Sequence, residues 1–509
     1  MSRPPAYFVV LVGVIASVCT ASAELKLPAI IGDHMVLQRD QENPIWGWTE
    51  AGSDVSVTVA GQTIASKADG QGKWTVKLPA MAASAEPTTI TIKAGAEERT
   101  LSDILVGEVW VCSGQSNMGF TVDASYDADL EKATANFPNI RLISVPNVGT
   151  QELQNDFVGQ WDACTPDTVG AFSGVGYFFG RQLHQTLNVP IGLIDNAWGG
   201  SAAEAWVSRG VMDTDPRFAN VAEQWKNTDA TYDHEKAVAA WQASADKAKA
   251  EGEPVPRAPN NLLTGNQRPG NLWAGVLNPI IGYGIRGAIW YQGESNAARA
   301  YQYDDLFALM ISEWRKAWGQ GDFSFYWVQL ADYMAEVDQP GDSAWAELRE
   351  AQTATLALPK TGQAVIYDVG EGRDIHPRDK QTVGKRLARI ALAQDYGMAI
   401  AYQSPRFASM EVAGNKATLT FTDVGTGLYA FDVQEAVGFA VAGDDKVWHK
   451  AVGKVVGKDK VEVTCGAVAA PVAVRYAWAN NPIANVESKD GLPLVPFRTD
   501  DWPQVTAPK

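Results

Sequence analysis

Ile104-Leu105-Val106-Gly107-Glu108-Val109-Trp110-Val111-Cys112-Ser113-Gly114-Gln115-Ser116-Asn117-Met118 is an apolar run that breaks abruptly into a polar, glycine-containing turn. Downstream of it, apolar segments alternate with helical ones. Strands are expected at 189–194, 288–291, 325–330 and 364–367, and helices at 201–206, 303–318, 344–356 and 380–393. Strands bridged by helices at this spacing make an α/β domain with a parallel sheet. The quoted stretch is then its opening strand, and the turn that ends it lies where such sheets hold ligands.

The flanks read differently. Residues 24–103 carry period-two alternation at Asp54–Val59, Trp74–Leu78 and Thr88–Ile92, with turn signals such as Asp69-Gly70-Gln71-Gly72 between them. This predicts a small β-sandwich module ahead of an α/β domain at 104–399. Segments such as Ala417–Phe421 and Val472–Tyr476 predict a closing β module over 400–509. Residues 213–261 are polar and rich in Ala, Lys and Glu, and read as a helical insertion.

Residues 1–23 have the pattern of a secretory signal peptide: Arg3, an apolar run from Tyr7 to Val18, and the small residues Ala21-Ser22-Ala23. A secreted or periplasmic location is expected, with no membrane attachment after cleavage, because no later stretch approaches the roughly 18 apolar residues of a spanning helix. The formal charge of −17 and the absence of a basic stripe exclude a nucleic-acid partner. Of the four cysteines, Cys19 leaves with the signal peptide, and Cys112 and Cys164 are the expected disulfide pair in an oxidising compartment. No Cys or His spacing suggests a metal, and no cofactor is expected.

Four polar segments fall at or near strand ends: Gly114–Asn117, Asn196–Ser201, Gln292–Asn296 and Asp374–Pro377. A serine hydroxyl is a weak nucleophile until a base within hydrogen-bond reach takes its proton. Ser116 is the candidate nucleophile, although its turn lacks the second glycine of the G-x-S-x-G elbow, and capping a helix is the competing role. Among the histidines of the mature chain, only His376 follows a core strand at a loop. Gly199, Gly200 and Asn296 are candidates for binding an oxyanion. The carboxylate that orients His376 is open between Asp374, two residues away, and Glu294 from another strand end.

In these segments the chain resembles the sialate O-acetylesterase family of the SGNH-hydrolase superfamily. The resemblance is carried by Gly107–Met118, Trp198-Gly199-Gly200-Ser201, Trp290-Tyr291-Gln292-Gly293-Glu294-Ser295-Asn296, Asp374-Ile375-His376-Pro377 and Asp490–Arg498, and it runs over residues 25–502. It implies a three-layer α/β/α domain and Ser116 as nucleophile. It also implies oxyanion donors at Ser116, the Gly199-Gly200 turn and the Gln292–Asn296 loop, and acetylated carbohydrates, sialic acid or a plant polysaccharide such as xylan, as substrates. The superfamily often places its acid three residues before the histidine, where this chain has Arg373. Asp374 is offset by one, which keeps Glu294 open as the helper, the role a glutamate of the matching loop takes in related acetylxylan esterases. The competing function is a carbohydrate-binding protein on the same fold, to which Trp198, Trp206, Trp290 and Tyr291 would be suited.

Overall fold

The computed structural model describes Met1 and residues 24–508. The signal peptide expected over 1–23 lies, Met1 apart, outside the described residues. No helix among the described residues is long and apolar enough to cross a membrane. The protein is a mixed α/β molecule with one large central sheet and a separate β-rich region toward its C-terminus.

The opening strand, β1 (Glu97–Gly114), is 18 residues long. Its first half pairs antiparallel with Ser84–Ala94, and its second half pairs parallel with two strands of the α/β region. The boundary drawn at 103/104 therefore falls inside one continuous strand. The polar pair Ser102-Asp103, just before that boundary, is a bulge: the register with Thr88–Ile90 slips there, and Asp103 takes φ 56°. Asp103 is held in place by Arg141 at 2.6 Å.

The further strands of the central sheet are β2 (Phe137–Ser144), β3 (Asp162–Cys164), β4 (Ile191–Asp195), β5 (Gly287–Tyr291), β6 (Ser324–Val328) and β7 (Thr361–Ala364), in the spatial order β7-β6-β5-β1-β4-β2-β3. All neighbours are parallel except β2 and β3. Four principal helices accompany them: α1 (Gly174–Leu187), α2 (Tyr303–Trp318), α3 (Ala344–Ala354) and α4 (Lys380–Gln394). Strand residues alternate between two cores. Val109, Val111, Trp290 and Trp327 pack with Phe307 and Trp314 of α2 and Leu348 of α3. Trp110, Cys112, Tyr291 and Tyr326 pack with Phe179 of α1 and Leu387 of α4. Burying both faces explains why these strands are continuous apolar runs.

The last strand sits three residues earlier than expected. Thr361–Ala364 pair with β6, while Val365 and Tyr367 leave the sheet and pack into the C-terminal β core. The expected helix at 201–206 is a single 3₁₀ turn, Ala203–Trp206. Residues 213–261 hold the 3₁₀ turn Pro216–Phe218 and two longer α-helices, Ala219–Thr231 and His234–Glu251, with few buried side chains. Beyond residue 400 lie a seven-stranded antiparallel sheet and a three-stranded one.

The expected Cys112–Cys164 disulfide does not form; both thiols and Cys465 are free and buried. Cys112 is on β1 and Cys164 on β3, with β4 and β2 between them. Three strand spacings come to about 14 Å, twice the ~7 Å Cα separation a disulfide tolerates.

Candidate active site

Gly114 ends β1 with φ 136°, and a Cβ there would lie 2.2 Å from the Tyr291 carbonyl oxygen, so this position needs glycine. The chain then folds into a tight turn. The Gln115 N–H donates to Tyr291 O at 2.9 Å, and the N–H groups of Met118 and Gly119 return to Gln115 O at 2.9 and 3.0 Å. Ser116 sits in this turn, partly exposed, at the carboxyl end of the central strand and not at the start of a helix.

The loop after β7 brings in the histidine. His376 Nε2 lies 2.8 Å from Ser116 Oγ. The Glu371 carboxylate accepts from the Arg378 N–H and Nε, both at 3.0 Å, and the Asp374 N–H donates to Glu371 O at 2.8 Å. Asp374 Oδ1 accepts the His376 backbone N–H at 2.9 Å and lies 3.5 Å from its Nδ1. A carboxylate beside Nδ1 favours the tautomer whose Nε2 accepts from the serine hydroxyl. The Phe120 ring stacks on the imidazole at 6.0 Å. Burial pulls the His376 pKa below its ordinary 6.5; Asp374 opposes that shift and Lys380 adds to it.

The turn after β4 closes against the serine. The Trp198 N–H donates to Gly114 O at 3.0 Å, and a Cβ on Gly199 would lie 3.3 Å from Ser116 Cβ. Glycine lets the backbone approach this closely. Among the described residues, no acceptor takes the amide hydrogens of Ser116, Gly199 or Gly200. Gly200 contributes its carbonyl to Ser295 Oγ at 3.0 Å.

Gln292 and Asn296, expected to reach the oxyanion, are instead committed beneath the loops. Gln292 Nε2 donates to Ser201 O at 3.0 Å and to Asn296 Oδ1 at 2.7 Å, and Tyr303 Oη donates to Gln292 Oε1 at 2.7 Å. Asn296 Nδ2 donates to Glu204 at 2.8 Å, and its Oδ1 also accepts the Ala203 N–H at 3.0 Å. Both amides are buried, and buried polar groups take partners where they can. They brace the Gly200-Ser201 turn.

Glu294 does not touch the imidazole. Its Oε1 accepts from Asn117 Nδ2 at 2.8 Å, and Lys380 Nζ donates to Asn117 Oδ1 at 2.7 Å. Of the carboxylates open at the sequence level, Asp374 is the one that meets the His376 ring. Asn117 was visible only as part of the Ser116 motif. Lys380, fully buried at the first position of α4, carries one signal in the sequence: a lysine at a helix N-terminus opposes the helix dipole.

The family profile described as "Carbohydrate esterase, sialic acid-specific acetylesterase" matches residues 106–254 and 276–393, which include Ser116, Gly199, Glu294, Asp374 and His376. The sialate O-acetylesterase of Mus musculus is 29% identical over 546 residues, covering 98% of this chain and 98% of that protein. The sialate O-acetylesterase of Pongo abelii is 30% identical over 445 residues, covering 79% of this chain and 77% of the relative. A crystal structure of a carbohydrate acetylesterase from Xanthomonas citri superimposes with a TM-score of 0.80 at 37% identity, covering 94% of this chain and 100% of that one. The chain belongs to the family of sialic acid-specific acetylesterases and is a carbohydrate O-acetylesterase.

Proposed function

We propose that the protein is a secreted or periplasmic serine esterase that hydrolyses O-acetyl esters on carbohydrates through an acetyl-enzyme on Ser116. The 2.8 Å contact between Ser116 Oγ and His376 Nε2 carries this reading. His376 takes the hydroxyl proton as Oγ attacks the acetyl carbonyl. The N–H groups of Ser116 and Gly199 stabilise the tetrahedral oxyanion. The imidazolium, steadied by Asp374, returns the proton to the departing sugar hydroxyl. Water, deprotonated by His376, then attacks the acetyl-enzyme, and acetate leaves with Ser116 restored. The catalytic region corresponds to a three-layer α/β/α SGNH-hydrolase arrangement with β-sandwich modules on either side, and the signal peptide precedes it. A protein that only binds sugar has no use for a serine held against a neutral histidine. Acetylated carbohydrates are the partners, with sialic acid and a plant polysaccharide such as xylan as the two substrate classes.

Acetate release across O-acetylated sialosides, xylan oligosaccharides and other acetylated glycans, compared between parent and Ser116→Ala, tests this. Release from one class above the others, reduced by about 10⁴-fold or more in Ser116→Ala, is the expected result. Parent-like turnover in folded Ser116→Ala contradicts the mechanism.

A further inference from the structure

Behind the Ser116–His376 contact lies a chain of polar groups that the mechanism above does not use. Lys380 and Asn117 are 0% and 1% exposed. The Asn117 amide makes three bonds: Oδ1 accepts from Lys380 Nζ at 2.7 Å, and Nδ2 donates to Glu294 Oε1 at 2.8 Å and to the Ile375 carbonyl at 2.9 Å. Ile375 immediately precedes His376, and Asn117 immediately follows Ser116. One side-chain amide therefore ties the nucleophile's turn to the histidine's loop.

An amide has two chemically distinct ends, and only its NH₂ end can bond a carbonyl oxygen. An ammonium can only donate and a carboxylate can only accept; burial pulls the Lys380 pKa down to about 7 and pushes that of Glu294 above its ordinary value, so the ammonium that fixes the amide is present below about pH 7. With Lys380 on one side and Glu294 on the other, a single orientation of Asn117 is satisfied. Flipped, it would set Nδ2 against the ammonium and Oδ1 against both the carboxylate and the Ile375 carbonyl. Lys380 Nζ also lies 4.7 Å from the centre of the Phe120 ring, which itself stacks on His376, and 5.4 Å from that of Tyr291. Glu294 Oε2 and the Tyr291 hydroxyl are buried and have no hydrogen-bond partner among the described residues. A buried charge pair left partly unsatisfied is expensive to keep in a core that apolar side chains could fill.

We infer that Lys380 and Glu294 are positioning residues, which lock the Asn117 amide so that it holds the Ile375 carbonyl, and with it the His376 ring, in register with Ser116. The inference rests on the Ser116–His376 mechanism proposed above and extends it to a pair of charges that touch neither substrate nor reacting atoms. It also separates the two carboxylates: Asp374 acts on the imidazole ring, and Glu294 acts through Asn117.

The charged groups facing His376 are Asp374 and Lys380; those facing Lys380 are Glu294, Asp374, Asp379 and Glu371. The Lys380 ammonium disfavours the His376 imidazolium, so Lys380→Met raises the histidine pKa and moves the acid limb of kcat/KM to higher pH. A residue that merely fills space would leave that limb in place. Misplacement of catalytic groups by as little as 1 Å can cost about 10²-fold in rate, so kcat for p-nitrophenyl acetate in Lys380→Met should fall by roughly 10–100-fold with KM nearly unchanged. Glu294→Gln is isosteric and keeps an acceptor for Asn117; a smaller loss, about tenfold in kcat, is expected from the weakened lock. Because both charges act through one amide, the double variant should lose less than the product of the two single losses.

Kinetics, pH profiles and melting temperatures of the three variants and of Ser116→Ala decide the matter. Parent-like kcat in folded Glu294→Gln, or a Lys380→Met variant whose kcat and acid limb match the parent's, overturns the inference. If Lys380→Met does not fold, Glu294→Gln alone decides it. An active Ser116→Ala overturns the underlying mechanism instead, so the two failures are distinguishable.

Discussion

His376 has a carboxylate beside one ring nitrogen and a serine hydroxyl beside the other. Asp374 is well exposed and 3.5 Å from Nδ1, so its grip is weaker than that of a buried triad aspartate. Asp374→Asn keeps an oxygen for the His376 backbone N–H while removing the charge. It should lower turnover by about 10²–10⁴-fold, the upper figure being typical of a buried triad aspartate. Glu294→Gln, which acts at one remove, should cost far less. Side-by-side kinetics test the ranking, and a collapse confined to Glu294→Gln would reverse it. The pH dependence follows from the same surroundings. Burial holds the folded-state pKa of His376 below 6.5, so its neutral, base-competent form persists to lower pH than a free histidine's. The acid limb of kcat/KM should therefore fall below pH 6.5 in the parent, and lower still in Asp374→Asn, which loses the charge that opposes the shift. A parent limb above 6.5 would contradict this. At this scale the gathering of Ser116, His376 and Gly199 in one cluster was legible in the sequence, because acyl transfer restricts which residue types can serve, while the choice between Asp374 and Glu294 beside the ring stayed open until the geometry was known. The partners of Gln292 and Asn296 were not, because an amide at a loop suits an oxyanion site and a buried brace equally well.

Helices α2, α3 and α4 were legible to within a few residues, since an amphipathic period of that length has no competing reading. Strand β1 was not, because a bulge at Ser102-Asp103 looks like the end of a strand when partner strands are unknown. The Cys112–Cys164 bridge failed for a related reason. Strand order is set by crossover connections, and two residues close in sequence can end three strands apart. Burial pushes the Cys164 thiol up to about 12 and Cys112 well above its ordinary value, so neither is a ready thiolate. Non-reduced peptide mapping should find Cys112, Cys164 and Cys465 as free thiols that react with alkylating reagents only after unfolding. A Cys112–Cys164 linked peptide would contradict the strand order itself.

Over the whole molecule, buried charges join the α/β sheet to its flanks. Glu108 on β1 receives Arg39 from the N-terminal region and Arg286, the latter at 2.8 Å, and it is fully buried. Arg349 of α3, also fully buried, donates to the carbonyls of Leu330 and Ala331 near β6 and of Ala479 and Asn480 in the C-terminal region, at 2.7 to 3.0 Å. Arg349→Met would leave these carbonyls without their donor. An unsatisfied buried acceptor costs about 1–3 kcal/mol, so a loss of roughly 3 kcal/mol or more is expected. Calorimetry should show a clearly lowered melting temperature, and an unchanged one would mean that the two regions are held together by other contacts. This coupling was invisible in the sequence, because a helical period does not name the partners of an arginine on it. It matters for function because the loops carrying Asp374 and His376 lie between these regions: a Cβ on Gly372 would meet Asn481 at 2.5 Å. The central claim concerns one bond, the acetyl ester on Ser116. Rapid acid quenching of the enzyme during turnover of p-nitrophenyl acetate, followed by peptide mass mapping, tests it most directly. The account predicts a single acetyl group on the peptide containing Ser116, absent from Ser116→Ala and present at lower occupancy in slow-acylating Asp374→Asn. An acetyl group trapped on another residue, while Ser116→Ala still turns over, would contradict it.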